Sequence, residues 1–302
     1  MAVKSALPYS LHSRYRSIAL AWTIITIPPI FINLGLFYGL WYGSPHMDRI
    51  AVLTIPTAVL GLFTALAILE RIYKLTQTPP TFRPLASPRW ALDVFQWGYF
   101  ASLLLISALI TSALARGDSD HDDHSLQTRL VSLPASLLMF FLATLTLLSL
   151  LLHHLALPLP FRFGSLEPGN ALRPAVYYIV EDVVAVDGNG GAEYRRAWTQ
   201  RYASSAVFRR MIWTLSVVWM LAFYVFAVLV AGLVFWLPVA AVYAVGWAGP
   251  FPLAGLMALW TIWYVKSVLR EEEDVEDDGE AVGGRGLGRN DDERAPLLDS
   301  RV

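Results

Sequence analysis

The feature that most constrains this chain is the run from Met211 to Val265, which contains no charged residue. It is long enough for two transmembrane helices of about 20 residues each. A tight turn between them is predicted within FWLPVAAVYAVGWAGPFP, residues 235–252. The whole chain agrees with this reading, because 56% of its 302 residues are hydrophobic and only 16% are charged, unlike a soluble domain. We therefore predict an all-α integral membrane protein.

Four further apolar runs precede this segment, so about six transmembrane helices are expected. The first run is too long to be the core of a cleaved signal peptide. Its Pro28-Pro29 pair predicts a kink. Asn33, near its middle, is predicted to form an interhelical hydrogen bond, with a role as a functional ligand as the alternative. The four predicted spans lie near residues 18–41, 50–69, 91–115 and 130–152.

The polar segments complete the predicted domain organisation. An N-terminal segment precedes the four-span region, a polar insert separates that region from a two-span hairpin, and an acidic tail is expected to be disordered because it has little apolar content. The boundaries are 1–17, 18–157, 158–210, 211–268 and 269–302.

The distribution of basic residues predicts the orientation of the spans. Lys and Arg number three in the N-terminal segment, four in the second connector, seven in 159–210 and six in the tail, against one and two in the first and third connectors. Basic residues are retained on the cytoplasmic side. Both termini and the insert are therefore predicted to be cytoplasmic, and the loop 116–129 to face the lumen or the outside.

The insert contains two patterned segments. In RPAVYYIVEDVVAVDG, residues 173–188, a helical period places valines and isoleucine on one face and tyrosines and carboxylates on the other. We expect a helix that starts after Pro174, buries its valine-rich face and stops at a left-handed Gly188. In AEYRRAWTQRYASSAVFRR, aromatic side chains recur on a second helical stripe beside several arginines. We therefore expect the two segments to form a helical hairpin that lies on the membrane face.

Three carboxylates, Glu181, Asp182 and Asp187, fall in the first patterned segment. Salt bridges to Arg195, Arg196 or Arg201 are the favoured interpretation. The alternative is a membrane enzyme that acts on a lipid-like substrate at the cytoplasmic face, because paired carboxylates can hold a metal or serve as general acid and base. In that alternative His153 or His154, at the end of the fourth span, supplies a further polar group.

Metal and cofactor sites have weak support in the sequence. Cysteine is absent, which excludes thiolate chemistry and cysteine-ligated metals. Haem is disfavoured because adjacent histidines point about 100° apart on a helix and no other span carries one. No cofactor is predicted, and a net charge of −1 gives no reason to expect nucleic acid as a partner. A solvated acidic turn is favoured over a divalent-cation site at Asp118, Asp120, His121, Asp122, Asp123 and His124.

The tail carries a short targeting pattern. Glu293, Leu297 and Leu298 in ERAPLL resemble the acidic dileucine sorting signal that eukaryotic adaptor complexes recognise on cytoplasmic tails. The resemblance implies a sorting adaptor as a partner, with the acid on a basic patch and both leucines in an apolar groove. We expect a vacuolar, lysosomal or endosomal membrane, with the plasma membrane or Golgi as alternatives.

The function favoured by the sequence is that of a multi-pass endomembrane protein in an interaction or accessory role. No nucleophile elbow, P-loop or HExxH motif is present. Besides the enzyme described above, a carrier or channel for a neutral solute is an alternative, since the predicted spans lack an ionisable residue near their centres.

Overall fold

The computed structural model describes residues 28–115 and 121–291, with side chains described for 30–115 and 126–272. Over these residues the chain is helical, with two isolated β-bridges and no strand. The predicted all-α fold is confirmed. A π-helical turn, Pro28–Ile32, leads into α1. The helices are α1 Asn33–Gly43, α2 Arg49–Thr76, α3 Val94–Leu114, α4 His121–Val131, α5 Pro134–His154, α6 Ala175–Asp182, α7 Gly191–Ser204, α8 Ala206–Trp236, α9 Val239–Ala248 and α10 Pro250–Asp291.

Five helical segments in the described part of the chain are long and apolar enough to cross a membrane. Four of them are single helices, and the fifth comprises α9 and the beginning of α10. Ile30–Gly43 is a shorter apolar helix, and residues 18–27 of the first predicted span lie outside the described residues. The five segments are Arg49–Thr76, Val94–Leu114, Pro134–His154, Ala206–Trp236 and Val239–Glu272.

The predicted turn near the end of the chain lies where expected but has a different form. The helix breaks twice within residues 235–252, at Leu237-Pro238 and at Gly249. Between the breaks, α9 forms a short helix in place of a single tight turn. Pro238 starts α9 with an extended backbone and Pro250 starts α10, as expected for a residue that cannot continue a preceding helix.

The third connector is more ordered than predicted, because α4 occupies most of it. The interpretation of this region as an acidic turn is wrong from His121 onward. Arg129, in the last turn of α4, donates hydrogen bonds to the carbonyl oxygens of Val234 and Leu237, the latter at 3.0 Å. These carbonyls belong to the end of α8, where no intrahelical partner exists, so the arginine caps α8 and fixes α4 beside it.

The last helix extends into the acidic tail. The backbone of α10 is helical to Asp291. A helix that already exists extends at low cost, since only nucleation is unfavourable, and α10 begins within an apolar span. The chain forms two compact units, residues 1–257 and 258–302, and the second contains most of α10.

The interior of the first unit holds small polar side chains as well as apolar ones. Helix α5 packs along α8, and the Ser136 hydroxyl donates to the Ala227 carbonyl oxygen at 2.6 Å. Between α9 and α1, the Tyr243 hydroxyl donates to the side-chain oxygen of Asn33 at 3.0 Å. The predicted interhelical bond of Asn33 is thus confirmed. Large apolar side chains such as Leu104 and Val228 are exposed instead, the distribution expected for helices that face lipid.

Candidate functional site: an ionic cluster beneath the insert

The first helix of the insert is present, but its buried face is the opposite of the one predicted. Tyr177, Tyr178, Glu181 and Asp182 are buried in α6, whereas the valines and isoleucine on the other side are only half-buried. The helical period was therefore correct and the choice of face was wrong. Amphipathicity indicates two faces, but in a chain with several apolar helices it does not indicate which one meets the protein.

Aromatic packing explains part of the inversion. The Tyr178 ring contacts Phe163 edge to face at 5.0 Å between centroids. Tyr177 lies 5.7 Å from Trp198 and 4.9 Å from Tyr202, both on α7. The aromatic stripe of the second insert helix is buried within the protein, where it packs against Tyr177 of α6. Large rings of this kind contribute more contact than valines do.

The end of α6 also differs from the prediction. The helix continues as a π-helical turn, Val183–Asp187, and Gly188 has a right-handed φ of −79°. The left-handed residues are Asn189, with φ of 54°, and Gly191, with φ of 62°. A π-turn adds one residue to the helical repeat, which moves the stop beyond Gly188. Asn tolerates the left-handed conformation better than most residues do.

The carboxylates of α6 belong to a group of charged side chains that we call the ionic cluster. Arg195 of α7 donates from Nη1 to Asp182 Oδ1 at 2.5 Å and to Glu181 Oε1 at 3.2 Å. Its Nη2 donates to the Phe82 carbonyl oxygen at 3.2 Å. Glu181 and Asp182 are each 1% exposed and Arg195 is 0% exposed. The members of the cluster are Arg71, Asp93, Glu181, Asp182, Asp187 and Arg195.

Two members of the cluster lie at the ends of candidate spans, Arg71 within α2 and Asp93 directly before α3. Arg71, near the end of α2, donates from Nη2 to Asp93 Oδ2 at 2.6 Å, and its Nη1 is paired with Asp187. Asp93 is also the N-cap of α3, since its Oδ1 accepts the backbone N–H of Gln96 at 2.8 Å. The acid that starts α3 is thus paired with an arginine of α2. The cluster therefore joins the insert to the ends of α2 and α3.

The backbone of the second connector closes over the cluster. The N–H of Ala192 donates to the Thr81 carbonyl oxygen at 2.7 Å. A side chain at Gly191 would meet that same oxygen at 3.0 Å, and its φ is positive, so glycine is required there for two reasons. On the other side, the Phe95 N–H donates to Asp182 Oδ2 at 3.0 Å. Both oxygens of Asp182 are thus occupied.

The charges of the cluster do not balance. Four carboxylates surround two guanidinium groups, and only Asp187 has a substantially exposed side chain, at 46%. Burial, and then the neighbouring charge of Asp93, raise the pKa of Asp182 to about 7, against the opposing effect of Arg195. Burial likewise raises the pKa of Glu181 and of Asp187. The cluster therefore takes up protons more readily than isolated carboxylates do.

The predicted pairing of Glu181 and Asp182 with Arg195 is present, and the two histidines lie apart from it. His153 Nδ1 is hydrogen-bonded to the Leu172 carbonyl oxygen at 2.7 Å, and His154 is exposed at the end of α5. In the described part of the chain neither histidine bonds to a cluster carboxylate. The histidines and carboxylates that the enzyme interpretation requires together are thus apart. Its carboxylates Glu181 and Asp182 are bound by Arg195 instead.

The other sequence-derived sites fall where the structure gives no side chains. Asp118 and Asp120 lie outside the described residues, as do Glu293, Leu297 and Leu298 of the sorting pattern. The backbone of His121, Asp122, Asp123 and His124 is in α4, but their side chains also lie outside the described residues. Within residues 30–115 and 126–272, no group of three or more His, Asp or Glu side chains is arranged to hold a metal ion.

The sequence did not predict Arg71 or Asp93 as members of this cluster, and Arg71 was the harder of the two to predict. It was assigned to a connector, because the second span was expected to end at Leu69, whereas α2 continues to Thr76. Its position two residues beyond an apolar run is typical of an arginine at a membrane interface. The available signal was the need to pair Asp93, an acid that starts an apolar helix, with a nearby base.

These features define a helical protein with candidate membrane spans and a polar insert fixed to them by buried ion pairs. The chain matches the family model described as a domain of unknown function, DUF8766, over residues 2–275, and it belongs to that family. No curated protein and no solved structure matches the chain.

Proposed function

We propose that this chain is a six-span, multi-pass endomembrane protein whose insert serves interaction rather than catalysis. In this proposal both termini and the insert are cytoplasmic. The observation that carries it is the state of Glu181 and Asp182, which are buried and bound by Arg195. Carboxylates in that state cannot reach a substrate, and their pairing stabilises the position of the insert.

The outer side of the insert supports the same proposal. Arg196 on α7 and Arg210 on α8 are exposed, one residue and one helix away from the buried Arg195. A rigid support that presents guanidinium groups to solvent suits a partner with an acidic surface. The insert would then act as a fixed basic contact surface at the membrane.

The test compares the two sides of the insert in the full-length protein. Proximity labelling from a tag on the C-terminus should lose specific neighbours when Arg196→Glu and Arg210→Glu are combined, while thermal stability stays near that of the parent. Gln200→Glu, another exposed change on α7, is the matched control. An unchanged set of neighbours would contradict the interaction role. Loss of phospholipid turnover in a stably folded Glu181→Gln variant would favour the enzyme instead.

The orientation belongs to the proposal and has its own test. Tags at both termini should be cleaved by protease added from the cytoplasmic side, and a tag within 116–129 should be protected. The basic residues of the N-terminus, the second connector, the insert and the tail support this arrangement. Termini on opposite membrane sides would contradict six spans.

We further propose that the tail carries the protein to a vacuolar, lysosomal or endosomal membrane through a sorting adaptor. A fluorescent fusion with Leu297→Ala and Leu298→Ala should redistribute relative to the parent, since both leucines are needed to fill an apolar groove. An unchanged distribution would remove the motif from the proposal.

A further inference from the structure

A cavity of about 270 Å³ lies beside the ionic cluster, between the second connector and the insert. Leu85 and Ala86 form one wall and the segment from Ser165 to Asn170 forms another. The rest is contributed by the insert residues Arg173 and Thr199. Its polar lining consists of Ser165, Glu167, Asn170, Arg173 and Thr199.

Arg173 differs from the arginines of the cluster because, among the described residues, it forms no ion pair with a carboxylate. Its guanidinium carbon lies 4.5 Å from the ring centroid of Tyr177 and 5.0 Å from that of Tyr202. Among the described residues, no carboxylate oxygen lies within 4.0 Å of its nitrogens. The two rings hold the guanidinium in place through cation–π contacts and leave its N–H groups for another acceptor.

A planar guanidinium held in this way is suited to an oxyanion. Arginine binds carboxylate and phosphate groups through two parallel hydrogen bonds, and fixed aromatic walls reduce the entropy lost on binding. The Thr199 hydroxyl on the same wall is hydrogen-bonded to the Tyr177 hydroxyl at 3.0 Å, which orients it. The cavity therefore offers a positioned cation with a neutral hydroxyl nearby.

The segment that follows α5 indicates where the ligand comes from. Leu155, Leu157 and Phe161 are exposed large apolar side chains directly after the end of a candidate span. The backbone ties this segment to the cavity, since the Leu159 N–H donates to the Asn170 carbonyl oxygen at 3.1 Å and the Leu159 carbonyl oxygen accepts from the Gly169 N–H at 2.8 Å. Apolar side chains next to a cation, at the end of a span, match the depth of lipid headgroups.

We propose that this cavity binds the phosphate group of a phospholipid, with Arg173 as its principal ligand. The lipid chains would lie against the exposed apolar side chains of residues 155–161. Glu167, on the exposed rim of the cavity, opposes the negative charge of the ligand and limits the affinity. This site uses none of the members of the ionic cluster and does not depend on the proposed interaction role.

The experiment is native mass spectrometry of the full-length protein in detergent, titrated with dioctanoyl phosphatidic acid. Dioctanoylglycerol, which lacks the phosphate, and inorganic phosphate are the comparison ligands. The phosphatidic acid should bind in a saturable manner and dioctanoylglycerol should not. Inorganic phosphate that binds as tightly as the lipid would overturn the lipid assignment and leave a soluble phosphate-bearing ligand.

Three variants test the residues. Arg173→Gln should weaken phosphatidic acid binding about tenfold, because one charge-assisted contact is lost. Glu167→Gln should strengthen binding a few-fold, since it removes a repulsive charge. Arg196→Gln, an exposed arginine outside the cavity, should leave binding unchanged.

Asn170→Asp separates a binding effect from a folding effect. Asn170 is exposed, so this change adds a negative charge to the cavity at the cost of one exposed hydrogen bond, from Asn170 Nδ2 to the Glu167 carbonyl oxygen at 3.1 Å. It should weaken binding a few-fold and lower the melting temperature only slightly, because the lost hydrogen bond is exposed. Parental affinity in both Arg173→Gln and Asn170→Asp would overturn the proposal, even if Arg173→Gln is also less stable.

Discussion

The ionic cluster and the aromatic centre around Phe37 are both largely buried, but different forces hold them. In the aromatic centre, the Phe37 ring stacks on Tyr243 at 3.8 Å between centroids, and the other members are aliphatic side chains. In the ionic cluster, each contact joins a charge to a specific partner. The members of the aromatic centre are Phe37, Val52, Leu53, Ala113, Val131 and Tyr243.

This difference predicts how each region responds to substitution. Replacing an apolar side chain by another of similar volume costs less than about 1.5 kcal/mol. Removing one partner of a buried ion pair costs about 3–5 kcal/mol, because the other charge stays buried without compensation. The aromatic centre should therefore tolerate change, whereas the cluster requires all of its members together.

The largest effect is expected for Arg195→Gln, which leaves Glu181 and Asp182 without their common partner. We expect a loss of about 3–5 kcal/mol in the free energy of unfolding, measured by thermal unfolding in detergent. Arg196→Gln is the matched control, since Arg196 is adjacent and exposed, and should change stability by less than about 0.5 kcal/mol. Similar losses of stability in both variants would show that the cluster does not hold the insert in place.

Tyr178→Ala tests the aromatic support of the cluster. Tyr178 is buried against Phe163, so its truncation should cost about 3 kcal/mol. Val180→Ala, on the half-buried face of α6, should cost less than about 1.5 kcal/mol. Chemical or thermal unfolding of both variants measures which substitution lowers the free energy of unfolding more. A larger loss of stability in Val180→Ala would mean that the valine-rich face of α6 is the buried one, as the sequence predicted.

Gly246→Ala tests the limit of tolerance near the aromatic centre. A methyl group at Gly246 would lie far closer to the Ser132 carbonyl oxygen than van der Waals contact allows. This oxygen belongs to the backbone and cannot rotate away. We expect a loss of about 1–3 kcal/mol in unfolding free energy as α9 shifts from α4. At Gly232 an added methyl group meets nothing within 4 Å, so Gly232→Ala should be neutral or stabilising by up to about 1 kcal/mol. Equal effects would mean that α9 is not closely packed.

The smallest effect is a dependence on pH that the cluster alone should show. The pKa of Asp182 is raised to about 7 in the folded chain, so the folded state binds more protons than the unfolded state between about pH 4 and pH 7. Stability should therefore fall as the pH rises through this range, and the melting temperature should be higher at pH 5.5 than at pH 8. Asp182→Asn should flatten this dependence. A melting temperature that rises with pH in the parent would contradict the excess of negative charge.

Helix α6 shows most clearly what could be predicted from the sequence and what could not. The helical period over residues 173–188 was sufficient to predict the helix, because periodicity is a local property. The pairing with Arg195 was also predictable, since few bases lie near in sequence. Arg71 was not, because it is separated from Asp187 by a long stretch of chain and its helix was expected to end earlier. The cavity at Arg173 had no signal at all, since it arises from three segments that meet only in the folded chain.

The sequence by itself determined the helical class, the apolar segments long enough to span a membrane, the presence of an interruption within residues 235–252, and the existence of two insert helices. Each of these follows from composition or local periodicity. The tertiary structure decided which face of α6 is buried, which charges are paired and where an unpaired arginine borders a cavity. Apolar side chains in such a chain are stable either inside the protein or against lipid, so hydrophobicity does not specify the packed face. Buried charges are stable only beside partners, and those partners fix the arrangement of the insert.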